Sequence, residues 1–296
     1  MAVEHLDPDG NGPKRAVILG ARGFVGGTIA DTLEARGVSC LRVTSADLDL
    51  LQPDSGAKLA AILEPGDAVV IATALAPCKD YKMFLSNIAM QAAINDGLAE
   101  ASPSHVLYVS SDAVYSDSDG PLGEDSVTAP DNLHGQMHVA RETMLRATFP
   151  AVPLACLRPT LIYGAGDPHN GYGPNRFRRL AQAGEAITLF GAGEERRDHV
   201  DVRDVAELGA RMVMHRTAGA LNAATGAVVS FMDAARQMAG LASGEVEIIT
   251  TERQGPMPHN GYRPFDPSGV AAAFPDFAFT QPEEGFARLY AETADG

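Results

Sequence analysis

An apolar run, Ala16-Val17-Ile18-Leu19, breaks into Gly20-Ala21-Arg22-Gly23-Phe24-Val25-Gly26. The stretch from Phe24 to Arg36 then carries Val25, Ile29 and Leu33 at helical spacing. A buried strand therefore feeds an amphipathic helix through a turn with three glycines. Gly20 permits the tight turn, Gly23 lets the backbone come close to a ligand, and Gly26 lets the helix pack on the strand. The helix N-terminus adds amide donors and partial positive charge, which together suit the pyrophosphate of a dinucleotide. A glycine triplet alone says little; in this context it predicts dinucleotide binding by Gly20, Arg22, Gly23, Phe24, Val25 and Gly26.

The same alternation continues. Apolar or helical segments follow at Ser39–Thr44, Ala68–Ala72, Asn87–Ala101, His105–Ser110, His134–Ala147 and Leu154–Arg158. Continuously apolar strands between helices predict a Rossmann-type α/β fold, a doubly wound parallel sheet covered on both faces. From Gly164 to Arg196 the texture shifts to Gly, Pro, Asn and Arg around one helix at Arg176–Ala183, which reads as a substrate-facing insertion. A strand at Val200–Val202, helices at Asp204–Met214 and Ser230–Ala239, and a strand at Val246–Thr250 then suggest a small C-terminal α/β lobe. The expected organisation is a flexible leader over 1–13, a dinucleotide-binding domain over 14–165 and a substrate-binding lobe over 166–296, with about 198–230 returning to the main domain.

Charge narrows the partners. A formal net charge of −15 over 296 residues disfavours nucleic acid and anionic membrane as ligands, since both are polyanions. Cys40, Cys78 and Cys156 form neither a CxxC pair nor a metal-ligand spacing, so no metal site is expected. The acidic, polar N-terminus and the lack of a long apolar stretch lead to an expected cytoplasmic location.

Cofactor choice is read at the end of the second strand, where a carboxylate would bind the adenosine ribose of NAD. Here the strand ends in Thr44-Ser45, and Asp47 and Asp49 come later, placed to cap the next segment or face the adenine. Hydroxyls at Thr44 and Ser45, with Arg22 or Arg42 nearby, suit a 2′-phosphate, so NAD(P) is expected with NADP favoured.

Several later segments accompany the glycine turn: Ala72-Thr73-Ala74, Asn87 at the opening of the next helix, Ser110-Ser111-Asp112-Ala113-Val114-Tyr115, Arg158-Pro159 with Leu161-Ile162-Tyr163-Gly164, and Arg197-Asp198-His199-Val200-Asp201-Val202-Arg203-Asp204. Together they resemble the extended short-chain dehydrogenase/reductases, the NAD-dependent epimerase/dehydratase group that modifies nucleotide sugars. The resemblance implies reversible hydride transfer at a sugar carbon, as epimerisation or net reduction, with a homodimer formed through two helices of the main domain. It places Ala72, Thr73, Ala74 and Asn87 on the cofactor and Ser111 on the reacting oxygen, with Asp112 beside it. Ala113 stands where dehydratases of this group carry a Glu, which counts against dehydration.

The group's Tyr-x-x-x-Lys pair is replaced. At its expected place the chain reads His134-Gly135-Gln136-Met137-His138. Residues four apart on a helix share a face, so both rings should address the cofactor cleft. An imidazole exchanges protons near neutrality, so His134 is a candidate acid/base, and His138 is a candidate donor to the nicotinamide ribose. Three readings stay open here: an active enzyme with His134 as acid/base, a catalytically weak or silent dinucleotide-binding protein with a sensing role, and a His-x-x-x-His metal pair. On the substrate side, Arg176, Arg178, Arg179, Arg196 and Arg197 concentrate positive charge suited to a nucleotide-sugar diphosphate. Arg197, Arg176 and the amide of Asn175 are the expected substrate contacts.

Overall fold

A computed structural model describes residues 3–292 and divides the chain into two compact units. The first takes the chain up to Ser116 and then Glu124–Pro159 and Val205–Ala223; the second takes Asp117–Gly123, Thr160–Asp204 and the chain from Ala224 onward.

The first unit is built on strands β1 (Glu4–His5), β2 (Arg15–Leu19), β3 (Ser39–Val43), β4 (Ala68–Ile71), β5 (His105–Val109), β6 (Leu154–Pro159) and β10 (Thr217–Ala223). They form one seven-stranded sheet in the order β1-β10-β6-β5-β4-β2-β3, parallel except for β1. Ala16 to Leu19 and all of Ala68–Ile71 are buried, as strands covered on both faces must be. Helices α1 (Phe24–Ala35), α2 (Ser55–Ile62), α3 (Tyr81–Ala101), α4 (Leu133–Thr148) and most of α6 (Val202–Met214) cover it. Leu59, Ile94, Leu98 and Leu145 from α2, α3 and α4 join Val17, Val69 and Tyr108 in one core cluster. Gly209 of α6 brings that helix close to α1, since a Cβ there would lie 3.1 Å from Ile29 Cδ1.

Two differences from the sequence reading have clear causes. Within the stretch expected as a leader, Glu4–His5 form β1 antiparallel to β10, with the Thr217 hydroxyl 2.9 Å from His5 Nδ1 and the Asp7 amide donating to the His215 carbonyl. Sheet-edge backbone groups recruit a polar segment that has no periodicity of its own. In turn, α3 opens at Tyr81 rather than Asn87, because the Asp80 carboxylate accepts from the Lys82 and Met83 amides.

The second unit holds β7 (Leu161–Tyr163), β8 (Ile187–Phe190), β9 (Arg196–Asp201), β11 (Val228–Ser230), β12 (Ile248–Thr251) and β13 (Tyr262–Arg263). β9 pairs with β7, β11 and β13, and β12 pairs with β8. Helices α5 (Pro174–Ala183), α7 (Phe231–Gly240), α8 (Ser268–Ala273) and α9 (Pro282–Glu292) belong to it, and Tyr163, Phe177, Leu189, Phe231, Met238 and Phe286 form its core. Among the described residues no helix is long and apolar enough to cross a membrane.

Candidate active site

The glycine turn follows from sterics. Gly20 has φ +91°, and a Cβ there would lie 2.9 Å from the Ala72 carbonyl group. A Cβ on Gly26 would stand 2.5 Å from the Gly20 carbonyl oxygen and 3.0 Å from the Ala72 Cβ, so this helix touches both strand ends only without one. Gly23 opens α1 and no side chain caps it. The amides of Phe24, Val25 and Gly26 therefore have no acceptor from the helix itself, an arrangement that fits a pyrophosphate. Arg22 is exposed on the same turn.

The loop after β4 is held from below. Asn87 is fully buried; its Oδ1 accepts from the Leu75 amide, and its Nδ2 donates to the Leu75 and Met83 carbonyls. Both ends of that amide are thus spent on backbone, holding Leu75, the residue directly after Ala72-Thr73-Ala74. Arg141 on α4 donates to the Thr73 carbonyl at 2.8 Å.

Ser111 follows β5 and caps a short turn, its Oγ accepting from the Ala113 amide at 3.1 Å and reaching Asp112 Oδ1 at 3.3 Å. Gly135 sets α4 directly against that turn, because a Cβ at 135 would lie 2.0 Å from the Ala113 carbonyl oxygen. Sequence reasoning passes over this glycine, though its place between the two histidines is the signal for it. His134 and His138 do share a face, with ring centroids 4.8 Å apart and planes at 83°. His134 Nδ1 accepts a long hydrogen bond, 3.4 Å, from the Cys78 amide. Burial lowers the His134 pKa, and nearby Asp112 opposes that shift. His138 is buried and held well below the usual imidazole range by burial, then by His134 and Arg141. Both shifts favour the neutral imidazole. No group of three or more His, Cys, Asp or Glu suited to a metal ion occurs among the described residues.

At the end of β3, Asp47 folds back so that its Oδ2 accepts from both the Thr44 amide, 2.9 Å, and the Thr44 hydroxyl, 2.7 Å. These hydrogen bonds, first that of the hydroxyl, hold the Asp47 pKa down despite its exposure, and Arg22 acts in the same direction. Arg42 is engaged by Glu34 and Asp31. Ser45 is exposed, and Asp49 accepts from the Leu51 amide and the Gln52 side chain, closing its own turn.

In the second unit, Asn175 is a brace: its Oδ1 accepts from the Gly164 amide and its Nδ2 donates to the Ile162 carbonyl. Arg176 is exposed on α5. Arg197 pairs with Glu195 at 3.3 Å and lies near enough to His259 to lower its pKa, second only to burial. Asp117 binds both Arg263, at 2.6 Å, and His259, at 2.5 Å. Arg263 and Arg197 are thus the cations of this neighbourhood, and His259 is shifted toward its neutral form beside them. Sequence reasoning misses Arg263 and His259, since they lie about 60 residues or more downstream on a segment with no periodicity. Asp198 is structural: it accepts from Thr160, from the Thr225 amide and hydroxyl, and from the Gly226 amide.

Residues 16–224 match the NAD dependent epimerase/dehydratase family. That is more than half of the chain, and the protein belongs to this family of NAD-dependent enzymes. A curated relative, the dTDP-4-dehydrorhamnose reductase of Mycolicibacterium smegmatis, is 29% identical over 182 residues, 60% of this chain and 54% of that protein. The match thus spans about half the length of that relative. Among solved structures, the UDP-glucose 4-epimerase of Thermus thermophilus in complex with NAD superposes with TM-score 0.82 at 21% identity, over 95% of this chain and 99% of that one. A UDP-glucose 4-epimerase of Thermotoga maritima with UDP-glucose gives TM-score 0.84 at 16% identity, over 95% and 100%. At such identities the likeness is one of fold, a Rossmann-type parallel sheet.

Proposed function

We propose that this protein is an NADH-dependent reductase of a keto nucleotide sugar, with His134 as the donor to the ketone oxygen. The observation that carries this reading is the Cys78 amide pointing at His134 Nδ1. A backbone N–H only donates, so Nδ1 must be bare and the neutral ring keeps its proton on Nε2. Bound NADH would supply the hydride; the neutral Nε2–H of His134 would hydrogen-bond the oxygen on which negative charge develops, and the proton that completes the alcohol would come from solvent, since the ring cannot give up its only proton without becoming an anion. Ser111, its hydroxyl free to turn from Asp112, serves as the second donor.

The reductase among the relatives supports reduction over epimerisation.

NAD is favoured over NADP because Asp47 occupies the Thr44 hydroxyl and places a carboxylate where a 2′-phosphate would need cations. Arg42, the other cation considered for that phosphate, is already held by two carboxylates. Within the second unit, Arg197 and Arg263, with the imidazole of His259, are groups of the kind that bind a diphosphate. The absence of a lysine at position 138 favours a second reading, a dinucleotide binder without turnover.

A direct assay decides between them: NADH or NADPH oxidation at 340 nm with dTDP-4-dehydrorhamnose and other 4-keto nucleotide sugars. Turnover with NADH that disappears in His134→Phe supports reduction. Tight NADH binding without turnover on any of these substrates overturns it in favour of the second reading.

A further inference from the structure

His138 meets a residue that no motif connects with the site. Its Nδ1 is 2.7 Å from the hydroxyl of Tyr108, on β5 beneath α4. Tyr108 is 1% exposed and His138 4% exposed, and neither side chain has another hydrogen-bond partner among the described residues.

The direction of this bond follows from counting hydrogens. If His138 donated from Nδ1, the buried phenol hydrogen of Tyr108 would have no acceptor, and a stranded buried donor carries the full cost of its desolvation. If Tyr108 donates, the phenol hydrogen has its acceptor and the proton of His138 sits on Nε2, which is not among the fully buried side-chain atoms left without a partner. A doubly protonated His138 would strand the phenol hydrogen in the same way. It is also opposed by Arg141, which is fully buried and lies 5.0 Å from the centre of the Tyr108 ring. Arg141 donates only to neutral acceptors, the Gln91 side chain and the Thr73 carbonyl. One of its terminal nitrogens has no partner, so the guanidinium charge is uncompensated close to the imidazole.

We infer that Tyr108 is a positioning residue, which fixes His138 as the neutral Nε2–H tautomer and so makes it a hydrogen-bond donor toward a hydroxyl of the bound dinucleotide. The hydroxyl is assigned on the cofactor reading given above. His134 and His138 then present two neutral N–H donors side by side, the first to the ketone and the second to the ribose. The charge that an ammonium would bring to this place resides one turn along, on Arg141.

The test reads the tautomer directly. Full-length protein with ¹⁵N-labelled histidine is examined by long-range ¹H–¹⁵N correlation at pH 7, with and without NADH, using His138→Gln to assign the ring. The expected result is a neutral His138 with bare Nδ1 and the proton on Nε2. In Tyr108→Phe the same ring becomes a mixture of tautomers, and NADH binding weakens roughly three- to tenfold, the worth of one ordinary hydrogen bond. A wild-type His138 carrying its proton on Nδ1, or a cation at pH 7, overturns the inference. So does a folded Tyr108→Phe with unchanged tautomer and affinity. If that variant does not fold, the wild-type spectrum alone decides. No sugar substrate is present, so failure of keto-sugar turnover leaves this result standing and a wrong tautomer leaves the turnover assay standing.

Discussion

Replacing Gly135 by alanine tests whether the close approach of α4 to the Ser111–Asp112 turn makes the site. A Cβ at 135 would stand 2.0 Å from the Ala113 carbonyl oxygen and 2.5 Å from the Pro130 Cβ, and the closer of these is backbone that has no rotamer to change. Non-bonded heavy atoms settle near about 3.5 Å, so helix and turn must part by more than about 1 Å. Forcing an extra methyl into packed structure costs about 1–3 kcal/mol. For a chain of this size that lowers the melting temperature by several degrees. The larger effect falls on chemistry, because a misplacement of about 1 Å reduces rate about 100-fold, equivalent to about 2.7 kcal/mol of barrier. The assay pairs kcat for 4-keto-sugar reduction with NADH affinity and thermal melting on the same preparation. We expect kcat to fall about 100-fold while NADH affinity stays within about tenfold, since the pyrophosphate turn lies at a different strand end. A Gly135→Ala protein with wild-type kcat and melting temperature would refute the reasoning.

Three further outcomes follow from the same geometry. Gly26→Ala, with its Cβ 2.5 Å from the Gly20 carbonyl oxygen, should push α1 off the turn and abolish measurable NADH binding in a calorimetric titration; retained affinity would remove the turn from the cofactor site. His105 is buried with its Nε2 2.8 Å from the Thr217 carbonyl oxygen and its pKa lowered to about 4 by burial. The unfolded chain alone binds that proton between about pH 6.5 and 4, so stability falls as pH drops through this window, by about 3 kcal/mol for this residue. His105→Gln should flatten the acid limb of urea-unfolding curves, and an unchanged limb counts against it. Asp204 has the opposite sign: burial, then the charge of Asp201 among other contacts, raises its pKa to about 6. The folded state alone keeps that proton between about pH 6 and 4, so stability gains as pH falls there, and Asp204→Asn should remove the gain in the same unfolding series.

Much of the fold is legible in the sequence because its causes are local. Continuous apolar runs at Ala16–Leu19 and Ala68–Ile71, separated by helical spacing, read as parallel strands without any knowledge of their neighbours. Where a partner is needed, the sequence falls short. β1 depends on the edge of β10, and Thr217–Ala223 itself, with three Ala and a Gly among its seven residues, offers little strand signal until it pairs with β6. Position alone makes Asn175 and Asn87 look like ligands, whereas in the folded chain both amides are spent on backbone.

The glycine turn and the placing of His134 and His138 on one helical face were determined by the sequence alone, since steric permission and a helical period act within a few residues. Tertiary structure decided what those groups are. The Cys78 amide, 56 positions from His134, and the Tyr108 hydroxyl, 30 positions from His138, are the partners that meet Nδ1 of each imidazole. Asp47, turned back onto Thr44, decides the charge at the end of β3. A side chain's chemistry depends on which donors, charges and solvent surround it, and only folding brings those neighbours together.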